Sequence, residues 1–414
     1  MEELYKQAKE IVTKYNQQHL LNKYDDLTKE KKEELLKQIL SIDFEEMENL
    51  YKQAKSEVKF DKIKIEPADY VDKSKLSEEE KEYYIKKGID IMKQNKYAVV
   101  TMAGGQGTRL GHNGPKGSFD IGLESHKCIF EILCDTLKQA KERYNVTIPW
   151  YLMTSRENNE QTVNFFESKN YFNYPKDSIS FFKQGELPML SKNGKILLQE
   201  DYLIKEAADG HGGILKAMLK NNIIDEMKQK GIEWVFISGV DNVLAKLADP
   251  LLLGLTAEKN VLAAVKSVEK TDPKEKVGVF CKKNGRTGVV EYTEIPEEMA
   301  GQRNSDGSLV YGDLNAVFHL YNIKALEKIL ELKLPYHTAV KKATYIDENG
   351  NLVVPEEPNA YKFETFIFDS FEMFDDVVIL RVKREEEFAP VKNKDGQDSP
   401  ETARKLYENY YKNL

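Results

Sequence analysis

The feature that most constrains the fold is the run Tyr97-Ala98-Val99-Val100-Thr101-Met102, a nearly uninterrupted apolar stretch that ends in Ala103-Gly104-Gly105. A strand with one wet face alternates apolar and polar residues. A run that is apolar almost throughout is covered on both faces, as in a parallel sheet flanked by helices. Similar runs recur at Ile148 to Met153, Ile179 to Phe182, Trp234 to Ile237 and Val261 to Val265, with helix-like segments at Ile129 to Arg143 and Ile214 to Lys230. Strands alternating with helices imply an α/β fold built on a doubly wound, mixed and mostly parallel sheet.

The 414 residues exceed one such core, which at roughly 200 to 250 residues leaves room for additions at either end. Residues 1–95 are rich in Lys and Glu with apolar positions three and four apart, as at Leu35, Leu36 and Ile39, and predict an N-terminal helical region. Within it, a charged linker with Pro67 runs from about Lys55 to Lys75. Ser77 and Glu80 then have the spacing of a capping box and start a helix that reaches about Asn95. The core is expected over residues 96–335. In that span VGVFCKKNGRTGVVEYTEI, from Val277 to Ile295, reads as a hairpin turning at Asn284-Gly285. Residues 336–414 are expected to form a small C-terminal α+β region that completes the site. The last hundred residues carry a helix near Ile323 to Leu332, a strand near Val377 to Val382 and a terminal helix from Pro400 to Leu414.

A net charge of −8 argues against a nucleic-acid binder, whose affinity comes mainly from concentrated Lys and Arg. Three cysteines, Cys128, Cys134 and Cys281, without metal-ligand spacing fit a reducing compartment and buried thiols. The charged start MEELYKQAKEIVTKY lacks the apolar core of a signal peptide, and no window reaches the length of a membrane span. A cytoplasmic protein with no membrane partner is expected, as a monomer or weak homo-oligomer.

The strongest local signal is Met102-Ala103-Gly104-Gly105-Gln106-Gly107-Thr108-Arg109-Leu110-Gly111, followed after three residues by Pro115-Lys116-Gly117. Glycines bring backbone amides close to a polyphosphate, and Arg109 and Lys116 place positive charge against its oxygens. The dinucleotide fingerprint would need glycine where Leu110 stands, and Gly111 does not precede Lys116 at Walker A distance. A nucleoside triphosphate is the guest that fits. Glycine content alone allows a plain structural turn; the strand, arginine and Pro-Lys together favour the phosphate.

With its downstream PKG, AGGQGTRLG resembles the signature of the UDP-sugar pyrophosphorylases, most closely the UDP-N-acetylglucosamine pyrophosphorylases. Further segments resemble the same family in the same order: IPWYLMTS, FFKQGELP, ADGHGG, VDN, VEKTDPKEKVGV, VEYTEI, KFETFIFD, REEEFAPVKN and PETAR, spread between Val99 and Arg404. The resemblance implies a Rossmann-like nucleotidyltransferase core. It also implies transfer of a uridylyl group from UTP to a sugar 1-phosphate with Mg²⁺, giving a UDP-sugar and pyrophosphate.

By the same resemblance Ala103, Gly104 and Gly105 lie against the nucleotide, Arg109, Lys116 and Lys392 serve catalysis on the phosphates, and Lys362 contacts nucleotide phosphate. Gln184 matches the uracil-binding position, where an amide offers donor and acceptor, and Gly210 belongs to the nucleotide set. Asp241 follows the Trp234 run at the carboxyl end of a strand, where ligands bind in α/β folds, and is the candidate Mg²⁺ ligand. Its alternative is a turn aspartate that caps the next helix. Glu291, Tyr292 and Asn315 are implied for the sugar. Glu291 and Tyr292 are expected in the hairpin.

His211 in ADGHGG stands where the acetylglucosamine enzymes resemble one another in having asparagine. Gly-His-Gly instead resembles the UDP-glucose and broad UDP-sugar pyrophosphorylases. N-acetylglucosamine 1-phosphate is the expected acceptor, glucose or galactose 1-phosphate the alternative, and His211 a sugar-binding candidate. The competing reading from another class is a catalytically silent nucleotide-sugar sensor, which would not require the whole set of Arg109, Lys116, Asp241 and Lys392.

Overall fold

In the computed structural model, residues 1–56 and 63–412 are described. Part of the expected linker between Lys55 and Lys75 and the last two residues of the expected terminal helix lie outside them. The central sheet is built on β1 (Tyr97–Met102), β2 (Trp150–Thr154), β3 (Ile179–Lys183), β4 (Trp234–Gly239), β5 (Ala263–Glu269), β6 (Asp313–Asn322) and β7 (Val378–Val382). Their spatial order is β7-β5-β6-β4-β1-β2-β3, with the short strand Val71–Asp72 beside β7. β1 to β4 are mutually parallel, β5 and β7 pair in parallel, and β6 runs antiparallel between β4 and β5. The sheet is therefore mixed and mostly parallel, with flanking helices, as the sequence predicts.

Burial explains the apolar runs. Ala98, Val99 and Val100 are fully buried, and so are Trp150, Leu152, Val235 and Ile237. Thr101 interrupts the β1 run without penalty because its hydroxyl accepts the buried Trp150 indole N–H at 2.8 Å. The helix Glu78–Lys93 starts at Ser77 with the predicted capping box. It crosses the helix Pro250–Glu258 so closely that a Cβ on Gly254 would lie 1.8 Å from the Tyr84 carbonyl oxygen, and one on Gly88 2.0 Å from that of Pro250. Glycine at both positions is what permits this backbone contact.

Chain order and contact grouping differ. Contacts gather residues 63–184, Ile214–Leu334 and 367–412 into one unit, here the core unit, and residues 1–56, Gly185–Gly213 and Pro335–Phe366 into a second. The second unit packs the helices Glu2–Lys14, Lys29–Ser41 and Phe44–Lys55 through Val12, Leu35, Leu36, Ile39 and Met47 against strand residues such as Leu190, Leu198 and Phe363. The N-terminal helical region is thus present, but its last helix, Glu78–Lys93, belongs to the core unit.

Three expectations need correction. The single helix over Ile214 to Lys230 is two, Gly213–Lys220 and Ile223–Gln229, because Asn222 adopts a left-handed conformation at φ 58° between them. The run Val261 to Val265 becomes a longer strand, Ala263–Glu269, since Lys266 is accommodated inside by buried carboxylates. The hairpin forms from Val279–Lys283 and Arg286–Val290 around Asn284 (φ 51°) and Gly285 (φ 84°), but it ends before Glu291 and Tyr292. No described helix is long and apolar enough to cross a membrane.

Candidate active site

The core unit collects its candidate residues at the carboxyl ends of adjacent parallel strands. Met102 and Gly239 end β1 and β4 in register, so the loops carrying Gly104 and Asp241 leave the sheet side by side. Val240 N–H donates to the Met102 carbonyl at 3.1 Å, Ala103 N–H to Met153 at 2.7 Å and Gln184 N–H to Thr154 at 2.8 Å. These bonds carry the ladder one residue past each strand and fix where the loops begin.

The glycine-rich loop doubles back on itself. Gly107 N–H donates to the Gly114 carbonyl at 2.9 Å and Lys116 N–H to that of Gly105 at 3.0 Å, which sets Lys116 beside the glycines. Gly111, in the left-handed region at φ 72°, turns the chain after Arg109. Gly104 faces the Gln184 amide so closely that a Cβ there would lie 2.6 Å from Gln184 Oε1. Gln184 and the glycine loop, 80 residues apart in sequence, are thus neighbours in space.

Charge converges on this loop. Lys116 Nζ stands 3.9 Å from Asp241 Oδ2, with side chains 17% and 33% exposed. Burial pushes the Lys116 ammonium down from its ordinary range, and the nearby charges of Lys392 and Arg109 press the same way against the opposing pull of Asp241. Lys392 in turn lies 3.4 Å from Asp398. Two cations of the glycine-rich segment and a third from far along the sequence therefore gather with two carboxylates. Asp241 is not the cap of the following helix: that role is filled by Asp249, whose carboxylate accepts from Leu251 and Leu252 N–H.

Asn158 was not singled out from the sequence. It is fully buried, and its Nδ2 donates to the carbonyls of Ala103 at 2.9 Å and Gly105 at 3.2 Å. Its Oδ1 accepts from Ser155 N–H at 2.9 Å. The available signal was Ser155-Arg156-Glu157-Asn158 just past the end of β2, a side-chain turn ahead of a helix.

Two of the sugar candidates meet at Gly278. Asn315 N–H donates to the Gly278 carbonyl at 2.9 Å, and Glu291 Oε1 lies 2.9 Å from where a Gly278 side chain would begin. Asn315 Oδ1 accepts from Val317 N–H and faces His319 Nε2, both at 3.0 Å. Because a backbone N–H only donates, that atom is the amide oxygen, and His319 presents a protonated Nε2 to it. Tyr292, next to Glu291, is 45% exposed.

The remaining candidates belong to the second unit. Gly210 (φ 83°) sits where a Cβ would come within 2.3 Å of the Thr365 carbonyl oxygen. The turn is tied to the strand Ala360–Thr365 by Thr365 N–H to Asp209 and Gly212 N–H to Thr365, each 2.8 Å. His211 lies with its ring 5.2 Å from that of Phe366. Lys362, on the same strand, pairs with Glu364 at 2.7 Å. The unit so brings Gly210, His211 and the Lys362 strand together.

Comparison with known proteins adds four findings. A family model described as UTP–glucose-1-phosphate uridylyltransferase matches residues 41–398. The sequence is 37% identical to UDP-N-acetylglucosamine diphosphorylase 2 of Arabidopsis thaliana over 95% of this chain and 81% of the relative. It is 35% identical to UDP-N-acetylglucosamine pyrophosphorylase of Saccharomyces cerevisiae over 97% of this chain and 89% of the relative. Among solved structures, the uridine diphosphate N-acetylglucosamine pyrophosphorylase of Trypanosoma brucei, crystallised with an inhibitor, superposes with a TM-score of 0.83. The two are 28% identical, and the match covers 95% of this chain and 82% of that one.

Proposed function

This chain belongs to the UTP–glucose-1-phosphate uridylyltransferase family, and we propose that it transfers the uridylyl group of UTP to a sugar 1-phosphate, forming a UDP-sugar and pyrophosphate. The observation that carries this reading is the pairing of Lys116 with Asp241 beside the glycine loop, with Arg109 and Lys392 close enough to act on the Lys116 charge. Three cations against Asp241 and Asp398 leave a positive excess that a polyphosphate balances.

In the proposed reaction an ionised oxygen of the sugar phosphate attacks the α-phosphorus of UTP in line. One P–O bond forms as the bond to the bridging oxygen breaks, and pyrophosphate leaves with the electron pair. The attacking group is already charged, so neither a protein nucleophile nor a general base is required. What is required is positioning and charge neutralisation. Arg109, with its planar fork, and the two lysines provide that charge. The Gln184 amide, held over Gly104, is proposed to read the uracil edge, and Ala103, Gly104 and Gly105 to lie against the nucleotide.

Asp241 is the proposed holder of Mg²⁺. This cation takes one or two carboxylates and completes its shell with phosphate oxygens and water. A single accessible carboxylate beside a phosphate loop fits, although among the described residues no group of three or more His, Cys, Asp and Glu side chains converges. When bound, the ion would draw charge from the phosphate oxygens.

Glu291, Tyr292 and Asn315 are proposed to bind the sugar, and the meeting of Glu291 and Asn315 at Gly278 supports a shared role. Roles for Gly210 and Lys362 toward the nucleotide, and for His211 toward the sugar, rest on the sequence resemblance. The relatives support N-acetylglucosamine 1-phosphate as acceptor. His211 in its Gly-His-Gly setting favours a second reading with glucose or galactose 1-phosphate. The net charge of −8 argues against nucleic acid as a partner and is compatible with small anionic substrates held by local basic residues; a cytoplasmic enzyme acting as a monomer or weak homo-oligomer is proposed.

Chromatography of a mixture of protein, UTP, Mg²⁺ and N-acetylglucosamine 1-phosphate tests the reading. UDP-N-acetylglucosamine is expected, lost on chelation and restored by added Mg²⁺. Conversion of UTP to UMP without sugar transfer would count against it.

A further inference from the structure

Beneath the cation patch lies a group of charges that the reaction does not use. Lys266, in the middle of β5, and Glu387 are both fully buried, and Lys266 Nζ stands 2.6 Å from Glu387 Oε2 and 2.5 Å from Asp249 Oδ2. Two half-buried lysines, Lys73 and Lys246, approach Glu387 Oε1 at 3.3 and 3.5 Å. Burial alone would push the Lys266 ammonium down and the Glu387 carboxyl up. The opposing charges more than reverse both, so the cluster stays ionised.

Such a cluster is a poor device for stability, because desolvation consumes most of the Coulomb gain and apolar replacements of equal volume are commonly neutral or better. Its location suggests another use. Glu387 opens the segment Glu387-Phe388-Ala389-Pro390-Val391-Lys392, and that segment is laced to the Asp241 loop at alternate residues. Asn242 Nδ2 donates to the Glu387 carbonyl at 2.8 Å, and its Oδ1 accepts from Ala389 N–H at 2.8 Å. Val243 N–H donates to Ala389 at 3.2 Å and Val391 N–H to the Asp241 carbonyl at 2.8 Å. Lys392 follows directly, its own N–H bonded to the Asp398 carbonyl at 2.7 Å.

We infer that Glu387, anchored on Lys266 and clamped by Asn242, is a positioning residue that sets Lys392 in register with Asp241. The inference rests on the roles proposed above for Lys392 and Asp241. A carboxylate held from several sides by lysines cannot slide, and the segment that follows it inherits that position. The connection is short: the backbone bonds at Ala389 and Val391 leave little freedom between the anchor and the lysine. Glu387 itself, fully buried, touches no substrate.

The test is a cycle of Glu387→Gln and Lys392→Ala, read as kcat/KM for UDP-sugar formation, together with amide hydrogen exchange on each variant. Glu387→Gln keeps the shape and removes the charge. A displacement of about 1 Å in a catalytic group is enough to cost on the order of 100-fold, so a loss of about 10- to 100-fold, mainly in kcat, is expected in the wild-type background. In the Lys392→Ala background the same substitution is expected to cost less than about twofold, because the group it positions is already gone. Exchange should quicken at Val243, Ala389, Val391 and Lys392, with the rest of the sheet unchanged. Equal losses in both backgrounds, or exchange that quickens throughout the sheet, would overturn the inference and leave Glu387 a structural residue. Should Glu387→Gln fail to fold, Asn242→Ala, which releases the segment without touching the ions, is judged by the same two criteria. If the wild-type protein forms no UDP-sugar at all, the proposed function fails, and the exchange result alone decides whether Glu387 holds the Lys392 segment.

Discussion

Replacing Gly104 with alanine separates nucleotide reading from folding. The new Cβ lies 2.6 Å from Gln184 Oε1 and 3.1 Å from its Cδ, but 3.4 Å from the nearest backbone atom, Ser155 N. The group that yields is therefore the end of a flexible side chain. Overpacking a rigid core costs about 1–3 kcal/mol, and here the amide swings aside for less than about 1 kcal/mol. What is lost is the amide's pair of hydrogen bonds to the base, worth about 0.5–1.5 kcal/mol each. At about 1.4 kcal/mol per factor of ten, UTP should bind roughly 5- to 150-fold more weakly. Calorimetric titration with UTP and CTP, alongside urea unfolding, reads both quantities. UTP affinity should fall, its advantage over CTP should narrow, and the unfolding midpoint should barely move. Adding Gln184→Ala to the variant should cost little more. Unchanged UTP binding in a folded Gly104→Ala protein would refute the placement of the base beside Gln184.

Gly254→Ala should do the opposite. Its Cβ would meet the Tyr84 carbonyl oxygen at 1.8 Å and Gly88 N at 2.9 Å, so two helix backbones must part. A loss of about 1–3 kcal/mol in urea unfolding is expected, with UTP affinity intact once folded. The thiols should be inert in the native state, because burial pushes Cys128 up to about 11 and Cys134 and Cys281 up to about 12. At pH 8 about one Cys128 in a thousand is thiolate, so an aromatic disulfide reagent should titrate the three cysteines only after denaturant is added. Rapid native reaction would contradict their burial. His211→Asn should shift acceptor preference toward acetylated sugars, read as relative kcat/KM, and an unchanged profile would remove His211 from specificity.

What was legible in the sequence follows from physical cause. Strands buried on both faces announced themselves as apolar runs, and the capping box at Ser77 and the Asn284-Gly285 turn carried their geometry in local chemistry. The antiparallel strand β6 went unread because its pattern is broken by Asn315, His319 and Val317, which holds a positive φ of 57° where β5 and β6 shift register. Lys266 hid the true length of β5, since a lysine is buried only when partners from Asp249 and Glu387 meet it. Those partners are remote in sequence. Arg109 and Lys116 were visible as neighbours of glycines, whereas the approach of Lys392 and Asp241 to them depends on tertiary pairing. Asn158 escaped for a similar reason: its worth lies in the carbonyls it holds, which no spacing reveals.

Pyrophosphate release from UTP and Mg²⁺, measured with N-acetylglucosamine, N-acetylgalactosamine, glucose and galactose 1-phosphates one at a time, tests the central claim most directly. The account predicts release that depends on the sugar phosphate and is fastest with N-acetylglucosamine 1-phosphate. Absence of release with all four, in a protein that binds UTP, would contradict it and favour a silent nucleotide-sugar sensor.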